Sequence, residues 1–293
     1  MPPVRHPDRD STRLTQFSND GLTFDVADSG PVEGPLVVLL HGFPQRATCW
    51  RRVSDRLNNR GYRTLAPDQR GYSPRARPRG RSAYRLSHLV SDVEALMRRV
   101  DAPVHLVGHD WGAVVAWACA ARAPSLTRSL VTVSVPHPRA FRRSMLTSTQ
   151  PLRSWYAAAF QLPVLPETVA QKAPALVEAS LRRSGMAEDA VARFRREMVE
   201  DGALGPALAW YRAVPFDRSP LAADNLVRVP TTHVWSDGDV ALSRRGAELC
   251  GDYVRAPYRL AVLKGVSHWI PEEAPALLAA LIDERAASVT GAA

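Results

Sequence analysis

The feature that most constrains this chain is an abrupt change of pattern in VHLVGHDWGAVVAW, residues 104–117. An apolar run ends at Gly108, and beyond Gly112 small and apolar residues recur as on a buried helix. A strand buried on both faces thus turns directly into a helix, the pattern of a parallel sheet whose strands are joined by helices. Between the two stands Asp110, a carboxylate in a place where burial is costly unless the charge is paired or used.

The rest of the chain supports that architecture. The segments LTQFSND and LTFDVADSG, joined at Asn19-Asp20-Gly21, predict a β-hairpin. PLVVLLHGFP (35–44) is a second strand of the doubly buried kind, and YRTLAPDQRGY supplies the next strand and its loop. LSHLVSDVEALMRRV (86–100) has the apolar spacing of an amphipathic helix, and SLVTVSV follows as a strand. The alternation breaks after Pro136-His137-Pro138 and resumes with TTHVWSDGD, YRLAVLKGVSHW and a last helix, APALLAALIDERAAS. The spacing therefore predicts a tail over 1–12, an α/β core over 13–138 and 221–293, and a helical cap inserted over 139–220.

Composition bounds the partners. A chain of 293 residues can form one large α/β domain with a smaller one attached. Its net charge of +9 raises nucleic acid or anionic membrane as partners, but the charge is spread out. The one dense run, SPRARPRGRSAYR (73–85), lacks the interleaved aromatics of a base-stacking surface and reads as a solvated loop. Cys49, Cys119 and Cys250 are far apart, so neither a disulfide framework nor a zinc site is expected. No secretory leader or membrane-length apolar run is visible, which makes a cytoplasmic protein the default expectation.

Gly108-His109-Asp110-Trp111-Gly112 has the form of a nucleophile elbow, small-x-acid-x-small, at a strand-to-helix junction. The glycines leave room where strand and helix close together, and the helix N-terminus favours a negative charge. Alone, the motif reads equally as a nucleophile or as an N-cap. Asp239 in SDGD and His268 in GVSHW each follow a predicted strand, so both can converge on Asp110 at one end of the sheet. Nucleophile, acid and histidine then run in the chain order of a hydrolase triad. Asp237 competes for the acid role but suits turn formation better. His41-Gly42-Phe43-Pro44 ends another strand, and the backbone N–H groups of Phe43 and Trp111 are candidates for an oxyanion hole. His41, Phe43, Pro44 and Trp111 are also the candidate substrate-binding residues. His109 reads as a packing residue, and Asp68 with Arg70 as an ion pair bracing a loop.

These motifs resemble the α/β-hydrolase fold and, within it, the epoxide hydrolases. HGFP, GHDWG, SDGD and GVSHW match that branch over the core. SWYAAAFQLPVLPE and ALAWYRAVPF look like the cap segments in which it carries its ring-opening tyrosines, here Tyr156 and Tyr211. The resemblance implies a small-molecule epoxide and water as substrates, with no metal, cofactor or nucleic acid, and leaves a homodimer open. Aspartate is ionised at neutral pH without help from a base, so it can attack a saturated carbon directly. A haloalkane dehalogenase shares the aspartate and histidine but has no need of two proton-donating phenols. A serine-type esterase lacks its nucleophile here, and a non-catalytic binding module would leave so complete a set unexplained.

Overall fold

The computed structural model describes residues 13–217 and 226–290. The tail at 1–12, the end of the expected cap at 218–220 and the start of the resumed core at 221–225 lie outside the described residues. Eight strands form one sheet in the order β1-β2-β4-β3-β5-β6-β7-β8. They are β1 (Gln16–Asn19), β2 (Leu22–Ser29), β3 (Leu36–Leu40), β4 (Arg63–Pro67), β5 (Val104–His109), β6 (Thr127–Val133), β7 (Thr231–Ser236) and β8 (Tyr258–Leu263). β1 and β2 pair as a hairpin, β2 runs antiparallel to β4, and all other pairings are parallel. Asp20 and Gly21 both take positive φ, 51° and 71°, as a two-residue hairpin turn with native twist requires.

β3 is apolar throughout because both its faces are covered, while β5, β6 and β7 mix apolar residues with buried polar ones such as His105, Thr132 and His233. Along β3, Val37 and Leu39 face a layer built from α1 (Arg51–Asn58) and α13 (Pro275–Thr290), including Val53, Leu57, Leu278 and Ile282. Val38 and Leu40 face the opposite layer, built from α2 (Leu86–Arg99) and α3 (Trp111–Arg122), including Val90, Val93 and Trp117. Each such side chain, once buried, contributes about 1.5–3 kcal/mol.

Between β6 and β7 the described chain is helical, without a strand. α4 (Pro138–Thr147) stays on the sheet, where Phe141 packs with Trp235 of β7. Then come α5 (Gln150–Arg153), α6 (Trp155–Ala159), α7 (Leu165–Lys172), α8 (Pro174–Arg183), α9 (Glu188–Phe194), a π-helical turn over Arg195–Glu200, and α10 (Leu204–Ala213). After β7 come α11 (Arg244–Glu248) and, after β8, α12 (Ile270–Glu273). None of the described helices is long and apolar enough to cross a membrane.

Two expectations need correction. Arg70 does not pair with Asp68. Its guanidinium grips both carboxylate oxygens of Asp92 on α2, at 2.7 and 2.8 Å, in a nearly fully buried fork. Asp68 instead accepts from the N–H of Ala47 at 2.9 Å and lies 3.9 Å from Arg46. The arginine-rich loop is not simply solvated either. Arg77 donates to the backbone oxygen of Asp201 at 2.6 Å and pairs with its carboxylate, which Arg46 also holds. Arg81 lies over the ring of Phe216, 3.7 Å from its centre. Part of the loop thus straps the helical segment to the sheet layer.

Candidate active site

Asp110 sits at the tip of the elbow with φ 52° and ψ −121°, a strained combination for a residue with a side chain. The surroundings impose it. A Cβ on Gly108 would stand 2.2 Å from the carbonyl oxygen of Gly112, and one on Gly112 would stand 2.2 Å from that of Leu40. Strand β5, helix α3 and the end of β3 are therefore in direct backbone contact. The N–H of Asp110 donates to Val133 of β6 at 3.2 Å, and its carbonyl accepts from Ala113 at 2.9 Å. Gly42 completes the fit, since a Cβ there would come within 2.3 Å of the Asp110 Cβ.

This arrangement aims backbone donors at the carboxylate. Phe43 N–H donates to Asp110 Oδ1 at 2.8 Å. Trp111 opens α3, so its N–H belongs to the first turn, where donors have no intrahelical partner. The other oxygen, Oδ2, lies 3.7 Å from His268 Nε2.

His268 is held from behind by the loop after β7. Its Nδ1 lies 2.8 Å from Asp239 Oδ2, while Asp239 Oδ1 accepts from the N–H groups of Ala241 and Leu242 at 2.8 and 2.9 Å. Gly238 lets this loop touch the one after β8, because a Cβ there would lie 2.6 Å from Val266 O. The His268 carbonyl accepts from Ser134 Oγ at 3.2 Å and from His109 Nε2 at 3.0 Å. Burial opposes charge on His268, but the carboxylates of Asp239 and Asp110 outweigh it and push its pKa up to about 10. Burial likewise works against ionised Asp239, yet His268 and the two backbone donors hold its carboxyl below the usual range. His109 is pushed the other way, down to about 4, by burial and then by the neighbouring His268, so it stays neutral.

Across from the carboxylate, the helical segment supplies an aromatic wall. Tyr211, on α10, packs edge-on against Phe43 and Trp111, with ring centres 5.3 and 5.1 Å away. Tyr156, on α6, stands 6.4 Å from Tyr211. Burial and then the Asp110 charge raise both phenols above their ordinary pKa, so both keep their protons at neutral pH.

The structure thus brings Asp110, His268, Asp239, Tyr156, Tyr211, Phe43 and Trp111 together. It does not bring in His41, which is fully buried with its Nε2 accepting from Gln69 N–H at 3.1 Å and its ring against Tyr72. Pro44 is buried beside Phe43. Asp237 Oδ1 accepts from Gly265 N–H at 2.7 Å, a turn contact. Sequence reasoning missed Phe160, whose ring lies 5.0 Å from Tyr211, 5.3 Å from Phe43 and 5.6 Å from Tyr156. The available signal was its spacing: four residues after Tyr156, it falls on the same side of a helical turn. Among the described residues, no group of three His, Cys, Asp or Glu side chains is placed to hold a metal ion.

Comparison with known proteins shows the family. The family described as "Alpha/beta hydrolase family" matches residues 37–281, and the chain belongs to that family. Within it, the chain stands in the branch that holds epoxide hydrolases. It is 35% identical to the "AB hydrolase superfamily protein YfhM" of Bacillus subtilis, over 92% of this chain and 96% of that one. It is 33% identical to "Epoxide hydrolase 3" of Xenopus tropicalis, over 89% of this chain and 73% of that one. Among solved structures, an epoxide hydrolase from Vigna radiata superposes with a TM-score of 0.80 at 27% identity, covering 93% of this chain and 97% of that one.

Proposed function

We propose that the protein is an epoxide hydrolase that adds water to an epoxide through an ester on Asp110 and releases a vicinal diol. The observation that carries this reading is the pair of protonated phenols, Tyr156 and Tyr211, facing a carboxylate that a histidine–aspartate pair backs. Residues 139–220 then act as the cap that closes the substrate between the phenols and the elbow.

In the first step Asp110 Oδ2 attacks an epoxide carbon and the ring C–O bond breaks. The electron pair goes to the ring oxygen, which takes a proton from a tyrosine. Oδ1, already in contact with the Phe43 N–H, becomes the ester carbonyl oxygen. In the second step His268 takes a proton from water, and the hydroxide formed attacks the ester carbonyl carbon. Phe43 and Trp111 N–H groups stabilise the oxyanion on Oδ1. Collapse breaks the ester C–O bond, and the departing alkoxide takes the proton from His268. The second proton of the water, left on the carboxyl, returns to the tyrosinate, so that the carboxylate and both phenols are restored as the diol leaves. Asp239 fixes the ring orientation and stabilises the imidazolium. Esterification removes one negative charge beside His268, lowering its proton affinity as it is needed as a base.

A dehalogenase would use the same aspartate, but a departing halide takes no proton, which leaves two buried phenols idle. The deciding experiment is an intact-mass measurement on His268→Gln after incubation with styrene oxide. An adduct of the full epoxide mass on Asp110 is expected; no adduct, with halide release by the wild type from a haloalkane, overturns the reading.

A further inference from the structure

The acid loop that carries Asp239 is not held by the sheet alone. Gln150 and Arg153, the first and last residues of α5, both reach into it. Gln150 Oε1 accepts from Ser243 N–H at 2.7 Å, and its Nε2 donates to the carbonyl of Ala241 at 2.8 Å. Arg153 Nη1 donates to the carbonyl of Asp239 itself at 2.6 Å. Ser148 Oγ, just before α5, lies 3.2 Å from Ser243 Oγ. The Asp239 side chain accepts from Ala241 and Leu242 inside the turn, while the α5 contacts meet the carbonyls of Asp239 and Ala241 and the N–H of Ser243. Gln150 is completely buried, and both ends of its amide meet main-chain groups of that loop. Removing it would leave the buried Ser243 N–H and the partly buried Ala241 carbonyl without these partners, a strong incentive for the turn to move.

The chain also continues directly from α5 into α6. Gln150 Nε2 donates to Ser154 Oγ at 2.8 Å, and Tyr156 follows two residues later. One short helix therefore touches the acid loop on one side and carries the tyrosine segment on the other.

We propose that Gln150 and Arg153 are positioning residues for the second half of the reaction. They hold the 239–243 turn so that the Asp239 carboxylate stays on His268 Nδ1. They also tie the water-activating pair to the cap segment that bears Tyr156. This inference rests on the proposed roles of Asp239 and His268, and the test separates the two.

Arg153→Ala and Gln150→Leu are compared with wild type and with Arg153→Lys, which keeps a donor. The first measurement is the NMR titration of the His268 ring, assigned by its loss in His268→Gln. The charged or titratable groups facing that ring are Asp239, Asp110 and His109. The first two variants should lower its apparent pKa by about one unit or more as the Asp239 contact loosens, with Arg153→Lys restoring most of it. The second is a single-turnover reaction with styrene oxide. Ester breakdown should slow by roughly tenfold or more while ester formation changes less than about twofold, so that the ester accumulates. An unchanged His268 titration overturns the proposal, as does an equal slowing of both steps. If the titration moves as expected but wild type forms no ester, the positioning role stands and the epoxide reading falls.

Discussion

Asp110 and Tyr156 face the same space, yet their backbones are held by different kinds of contact. Around Asp110 the constraint is main chain against main chain: three glycines at van der Waals limits, a residue at φ 52°, and strands in fixed parallel register. Tyr156 stands on a helix of five residues, beside the 70% exposed Trp155. Its neighbourhood is held by side chains. Gln161 donates to the Tyr211 carbonyl at 2.8 Å, Arg212 pairs with Glu167 at 2.6 Å, and Gln150 and Arg153 clamp the acid loop. The difference teaches where the site can adapt. Asp110 is placed by close packing, which tolerates almost no change in volume. The two tyrosines are placed by polar contacts, each modest and separately replaceable.

The strongest way to break that comparison is to fill one glycine. Gly112→Ala puts a methyl group into the Leu40 carbonyl and should cost more than about 3 kcal/mol, among the larger single-residue effects. A thermal unfolding midpoint indistinguishable from wild type would show that the elbow has slack. On the cap side, Tyr156→Phe and Tyr211→Phe should each leave the fold intact and slow ring opening by roughly a hundredfold. The double change should leave almost no ring opening. Equal rates in the double variant and wild type would remove the phenols from the chemistry.

The smallest effect belongs to the strap across the two regions. Asp201 is held by Arg46 and Arg77 in partly exposed pairs, so Arg77→Ala should cost about 1 kcal/mol or less. The loss should shrink further in high salt. A larger, salt-insensitive loss of stability in chemical denaturation would mean that the helical segment depends on this contact as the sheet depends on its glycines.

Much of this was legible in the chain because sheet proteins announce themselves locally. Val37 to Leu40 are apolar without alternation, and Leu106 and Val107 are adjacent apolar residues in the next parallel strand, as a strand covered on both faces asks. That Asp239 and His268 would meet beside Asp110 was legible because strand ends converge at one edge of a parallel sheet. What stayed hidden depends on partners distant in sequence. Nothing near Arg70 indicates that its partner is Asp92 on the next helix, and nothing near Arg77 points to Asp201 across the chain. Charge composition reports how many arginines a loop has, not which of them are engaged. Gln150 and Arg153 were invisible for the same reason: an amide or guanidinium on a short helix has no periodicity to betray that it meets the acid loop.

The contact between Gly42 and Asp110 has a consequence for how such a protein could change its trade. What the neighbouring loop meets at position 110 is the Cβ and the carboxylate oxygen Oδ1. Serine or cysteine would fit the same volume, whereas a side chain in place of Gly42 would not. An ancestor could therefore exchange one attacking atom for another with little disturbance to its frame, while the residues that never react would have to stay as they were.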